Sequence, residues 1–140
     1  MEMYQPSPYD RIQAEEYKLI RDIASKESCV IVGRAADYIL SDQSHVSIFL
    51  FAPMEDRVKR KMALLKPEDA AKMTPSAMEK IVKQMDKQRK RYYEYYTDMK
   101  WGARDSYDLL INTSQSGIDG AVKIIRTYID ECRGESIMPN

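Results

Sequence analysis

The chain has 140 residues, 44% of them hydrophobic, with 22 Lys and Arg balanced by 22 Asp and Glu. That suits one domain over 1–140 with a modest core, although a mean hydropathy of -0.57 makes it a wet one. Zero net charge argues against a dedicated nucleic-acid or membrane protein. No apolar run approaches the roughly 18 residues of a membrane span, and the opening Met-Glu-Met-Tyr-Gln-Pro is no signal peptide, so a cytoplasmic setting is expected.

Ser7-Pro8-Tyr9 opens a helix, with Ser as the cap and Pro in the first turn. Ile12, Leu19, Ile20, Ile23 and Ala24 recur at helical spacing, so the helix should reach about Lys26 with this stripe against a sheet. Cys29-Val30-Ile31-Val32 is a continuous apolar run rich in β-branched residues, ended by Gly33. Val46 to Phe51 is a second run, closed by Pro53. Both read as strands covered on two faces. The residues between them suffice for a short helix over 35–40 and a polar turn over 41–44, the minimum for a right-handed parallel β-α-β unit. Ligands of such sheets bind past the carboxyl ends of strands, where Gly33-Arg34 falls. Gly lets backbone approach a ligand and Arg forks onto phosphate or carboxylate; a glycine turn with a solvated arginine is an equally good reading.

A helix is expected from Met54 to Leu65, with Val58, Met62 and Leu65 on one side and Arg57, Lys59, Arg60 and Lys61 around them. After a break over 66–73, Thr74-Pro75 starts a long helix to about Met99, with Met78, Ile81, Val82 and Met85 on its apolar side. The two form a helical hairpin over about 54–100, closed by Trp101-Gly102. Tyr107 to Ile111 reads as a third strand, Asn112 to Gly117 as a polar turn, and 118–132 as a last helix. Ile118, Val122, Ile125, Ile129 and Cys132 give that helix a stripe expected to be buried. Gly134 should stop it, with a frayed tail from Glu135 to Asn140.

Cys29 and Cys132 read as core thiols. The one histidine, His45, has no ligand cluster near it and reads as a loop residue, so no metal site is expected. The sharpest constellation is Asp86-Lys87-Gln88-Arg89 with Lys83 and Lys90: on a helix, 83, 86 and 90 share a face and 89 lies beside them. Arg89 and Lys83 could hold a phosphate there, with Asp86 orienting Arg89 or a ligand hydroxyl. A surface ion pair is the commoner outcome for such a pattern. Tyr92, Tyr93, Tyr95 and Tyr96 could stack bases among the basic residues, but packing is favoured for most of them.

The segments KESCVIVGRAADYIL, HVSIFLFAPMEDRVKR, DKQRKRYYEYYTDMKWG and YDLLINTSQSGIDGAVKII resemble, in order and spacing, successive parts of the cytidylate kinase-like family of P-loop nucleoside monophosphate kinases. The likeness covers roughly residues 9 to 131. It implies an α/β fold: a parallel sheet of family strand order 2-3-1-4-5 with flanking helices and a helical-hairpin lid. It also implies transfer of the terminal phosphoryl group of ATP, with Mg²⁺, to a nucleoside monophosphate. By this resemblance Gly33-Arg34 meets the acceptor nucleotide. Ala35 stands where an Asp is typical, with Asp37 further on. Arg57 and Arg60 open the lid, and Asp86 and Arg89 form its Asp-x-x-Arg, gripping the acceptor and the transferring phosphate. Asn112, Thr113 and Ser114 begin the loop bordering the donor adenine.

One departure outweighs these matches. The family's Gly-rich phosphate loop, G-x-x-x-x-G-K-[ST], cradles ATP, yet none of the five glycines here, at 33, 102, 117, 120 and 134, precedes Lys-Ser or Lys-Thr. The resemblance then implies a truncated member with a partial sheet of about three strands, to which ATP and Mg²⁺ are not expected to bind tightly. No competent kinase is expected from this polypeptide alone. The absent family strand would lie between the strands at 29–32 and 46–51, and each buried hydrogen bond left unmade costs about 1–3 kcal/mol. The two strands are therefore expected to pair directly, with homodimerisation over exposed apolar surface as a companion. The expected partner is a nucleoside monophosphate. The rival readings are a non-catalytic nucleotide-binding or interaction module, and a nucleic-acid binder using the helix at 83–96.

Overall fold

The computed structural model describes residue 3 and residues 5–137; residues 1, 2 and 4 and the tail end at 138–140 lie outside the description. The elements in order are α1 (Pro8–Lys26), α2 (Ala36–Ile39), β1 (Ile48–Phe51), α3 (Met54–Ala63), α4 (Pro67–Ala70), α5 (Pro75–Tyr96), a 3₁₀ turn (Arg104–Ser106), β2 (Leu109–Asn112) and α6 (Thr113–Ile137). The fold is mixed α/β. Both cap predictions hold. The Ser7 hydroxyl accepts from the Asp10 amide while the Asp10 carboxylate accepts from the Ser7 amide, and the Thr74 hydroxyl accepts from the Ala77 amide.

The sheet has two strands among the described residues. β1 and β2 run parallel, with Ile48 opposite Leu109 and Phe51 opposite Asn112. Their entry is pinned where the Ser47 amide donates to the Asp108 carboxylate at 2.8 Å and the Asp108 amide donates to the Ser47 carbonyl. Below it Phe49 meets Trp101 edge-on at 5.2 Å and Tyr107 at 4.9 Å. Gly102 belongs to that cluster: its φ is 73°, and a Cβ there would lie 3.2 Å from the Phe49 ring, tighter than a packed ring readily yields.

The strand expected at 29–32 is not formed. The segment has no regular structure and no strand partner, and Cys29, expected in the core, is exposed with Val30 and Val32, which are 95% and 89% accessible. Only Ile31 packs inward, against the cluster of Ile20, Ala36, Ile39 and Leu40. Nor do the two predicted strands pair directly; β1 takes β2 as its neighbour and its other edge is open. A strand is a property of a pair, and an apolar run without a partner alongside stays a bare segment.

Other expectations shift for the same reason. Ile20 is the buried member of the α1 stripe, whereas Ile12, Leu19 and Ile23 are exposed. α6 begins at Thr113, kinks at Gly117 (φ 67°) and continues past Gly134 to Ile137, so the expected turn, stop and start of the frayed tail are helical. Its inner side is Ala121, with Ile125 and Ile129 half-buried, while Ile118 and Val122 face out. A two-stranded sheet is too narrow to cover the whole predicted stripe. α3 and α5 do pack as expected, through a second small core of Val58, Met78 and Val82 with Met62 and Leu65 at its margin. No helix among the described residues is long and apolar enough to cross a membrane.

Candidate functional site

α3 leaves the carboxyl end of β1 after Pro53 and brings Arg57 and Arg60, one helical turn apart, over the ends of both strands. Arg60 donates to the Thr113 hydroxyl at 2.7 Å and to its carbonyl at 3.1 Å, and that hydroxyl also lies 3.2 Å from the Phe51 carbonyl. This stitches α3 to the ends of β1 and β2. Arg57 forks onto Asp86 of α5, with Nη1–Oδ2 at 2.7 Å and Nη2–Oδ1 at 2.6 Å. The bidentate geometry lifts the Arg57 pKa, chiefly through the hydrogen bonds to Asp86 and against some desolvation. Arg89 reaches the same carboxylate at 3.5 Å and keeps about half its side chain in solvent.

Between the two helices lies a cavity of about 190 Å³. Arg57, Arg60, Lys61 and Arg89 line it, over a floor of Val82 and Met85. Asp86 is the carboxylate that answers this group, and it is already bound to Arg57. The cavity is therefore electropositive and suits an anion. A second, polar cavity of about 380 Å³ lies beside α2 and the strand entry. Two of its carboxylates already serve the fold: Asp37 accepts from Tyr93 and Asp108 from the Ser47 amide.

The remaining predicted residues are placed apart from the cavity. Lys83 turns back to Glu79 at 2.6 Å and does not line it. Asn112 accepts from the Ser114 amide, and the buried Ser114 Oγ has no hydrogen-bond partner. Gly33 and Arg34 sit where α1 and the C-terminal half of α5 meet. Arg34 lies 3.6 Å from Glu16 and over the Tyr92 ring, 5.6 Å from its centre. Because Tyr92 is three residues beyond Arg89, α5 places the two neighbourhoods on one surface a single turn apart. Sequence reasoning missed Glu16, Lys61 and the Arg60–Thr113 contact. A carboxylate in a polar helix carries no signal of a partner eighteen residues on.

Tyr92, Tyr93 and Tyr96 pack this surface together, while Tyr95 is exposed. Tyr93 is buried, stacks on Tyr107 at 6.0 Å and donates to Asp37 at 2.9 Å; Tyr96 donates to Asp10 at 3.1 Å. Burial first, and the Asp37 hydrogen bond next, push the Tyr93 phenol far above its ordinary 10.0. Tyr92, Tyr96 and Tyr107 are raised as well, each chiefly by burial. A proton held more tightly in the folded state stabilises it fully below the unfolded value and is lost as pH rises through the folded one. Thermal midpoints are thus expected to fall progressively above about pH 10, the unfolded phenol value, and Tyr93→Phe should make the fall shallower. An unchanged slope in the variant would assign the effect elsewhere.

A model of the cytidylate kinase-like family matches residues 2–115. The chain belongs to the cytidylate kinase-like family. It is 34% identical over 113 residues to a cytidylate kinase of Thermococcus kodakarensis, covering 79% of this chain and 54% of that protein. It is 28% identical over 120 residues to a cytidylate kinase of Staphylothermus marinus, covering 86% and 64%. The chain thus spans under two thirds of the length of either relative. A crystal structure of an uncharacterized protein from Eubacterium ventriosum superposes with a TM-score of 0.78 at 34% identity, covering 89% of this chain and 68% of that one. The matched region of this cytidylate kinase-like chain includes every residue of the electropositive cavity and the Gly33-Arg34 turn.

Proposed function

We propose that this chain binds the phosphate of a nucleoside monophosphate of the CMP type, the acceptor in ATP-dependent phosphoryl transfer. The observation that carries the reading is the convergence of four cationic side chains from α3 and α5 on one cavity. Arg89, held by Asp86 but half exposed, is the residue that reaches the anion; Arg60 and Lys61 add charge beside it. Asp86 orients both Arg57 and Arg89. Arg34, at the Gly33 turn, supplies a further phosphate contact, and the α3–α5 hairpin acts as the lid. Lys83 contributes long-range charge only, being paired with Glu79.

On this reading the described residues supply the acceptor side of the reaction and not the magnesium-ATP side. The left-handed glycines 33, 102 and 117 lie in three separate turns, and none precedes Lys-Ser or Lys-Thr. Of the donor-side candidates, Asn112 accepts from the Ser114 amide and Thr113 is held by Arg60, while the Ser114 hydroxyl is left without a hydrogen-bond partner. We read the chain as an acceptor-binding module and expect no phosphorylation of CMP from it alone.

Calorimetric titration with CMP and with cytidine, followed by a coupled ATP assay, tests this. CMP should bind more tightly than cytidine, Arg89→Ala should weaken CMP by about tenfold with little effect on cytidine, and no transfer from ATP should occur. Equal affinity for CMP and cytidine would remove the phosphate site. Turnover would overturn the non-catalytic reading.

A further inference from the structure

We propose that Glu16 and Tyr92 are positioning residues for Arg34, holding its guanidinium so that its outer edge faces an incoming phosphate. The inference rests on the reading of Arg34 as an acceptor-phosphate ligand. Three consecutive residues, Gly33, Arg34 and Ala35, have φ of 75°, 59° and 53°. Two of these are not glycine, and a left-handed run of this kind persists only where its surroundings over-determine it. Here they do. Ala35 and Ala36 are buried, the Ala35 carbonyl accepts from the Tyr38 and Ile39 amides, and Ile39 is locked in the first core. The turn throws Arg34 back onto α1 and α5.

What it meets there is a ready clamp. The inner nitrogen, Nε, lies 3.6 Å from Glu16 Oε1, and the guanidinium lies over the face of Tyr92. The Tyr92 hydroxyl donates to the other carboxylate oxygen, Oε2, at 3.3 Å, so the two clamp residues brace one another. Glu16 is mostly withdrawn from solvent, its side chain 27% accessible, while that of Arg34 is 58% accessible. With Nε near Glu16 and one face over Tyr92, the side chain still keeps more than half of its surface in solvent, open to a phosphate. Neither clamp residue lines the cavity between α3 and α5, but Tyr92 lies one turn of α5 from Arg89.

The test titrates CMP and cytidine into the intact chain and into Arg34→Ala, Glu16→Gln, Tyr92→Phe, Tyr92→Leu and the double variant Glu16→Gln/Arg34→Ala, each checked for an unchanged melting profile. Glu16→Gln and Tyr92→Leu should each weaken CMP by about three- to tenfold and leave cytidine unchanged. Tyr92→Phe, which keeps the ring, should retain most of the affinity. The double variant should bind no worse than Arg34→Ala alone, because a residue that acts only through Arg34 has nothing left to position. Equal wild-type affinity for CMP and cytidine would overturn the phosphate reading and this inference together. A wild-type preference for CMP that survives Glu16→Gln and Tyr92→Leu, or a Glu16→Gln loss that persists in full without Arg34, would overturn the clamp and leave the phosphate site standing. If Glu16→Gln melts differently, the Phe-against-Leu contrast at Tyr92 decides.

Discussion

Asp86→Ala is expected to lower stability by about 2–3 kcal/mol in urea unfolding. The carboxylate accepts both terminal nitrogens of Arg57 and sits near Arg89, and the pair is 27% and 20% accessible. Removing one partner strands a guanidinium in a half-buried place between α3 and α5. A fully buried pair broken in this way costs about 3–5 kcal/mol; partial exposure screens this one, hence the lower figure. Replacing both partners by apolar residues, Arg57→Met with Asp86→Leu, should return most of the stability, since neither charge is then left behind. The same double variant should lose CMP binding, because Arg89 loses the carboxylate that orients it. A cost below about 0.5 kcal/mol for Asp86→Ala would mean that the pair is as weak as an ordinary surface bridge.

Ile39→Ala is expected to cost about 2–4 kcal/mol, a large share of the roughly 5–15 kcal/mol that holds a domain of this size. Ile39 is 4% accessible and packs with Ile20, Ala36 and Leu40 in the core that joins α1 to α2. Its carbonyl also receives Arg21, which forks onto Asp42 at 2.8 and 2.9 Å. That core has few members, so there is little around the new cavity to collapse into it. The left-handed turn at Gly33–Ala35 leans on the same cluster, and the variant should weaken CMP binding along with stability. Conservative Ile39→Val should cost about 0.5–1.5 kcal/mol and spare binding. Equal losses from the two substitutions would show that the site is not packed as described.

Local chemistry was legible in the sequence and pairing was not. Ser7 and Thr74 cap their helices because a cap is decided within four residues. The β1 and β2 runs were found within two residues of their true ends, since each has the other beside it. Cys29 to Val32 has the same composition and no neighbour, and composition cannot report a missing neighbour. At the site, Asp86 and Arg89 stood out by spacing, but the dominant partner of Asp86 is Arg57, hidden in a run of charges on another helix. Glu16 was invisible for the same reason: its role exists only once α1 and α5 are brought together.

α5 runs unbroken for 22 residues, about 33 Å at 1.5 Å per residue. Its first half is bolted to α3 and its last turns to α1, α2 and the foot of the sheet. A stiff shaft fastened at both ends behaves as a beam. A molecule that tugs on Arg89, between the two fastenings, must load both, so α3 on one side and α1 with α2 on the other feel one event without any relay between them.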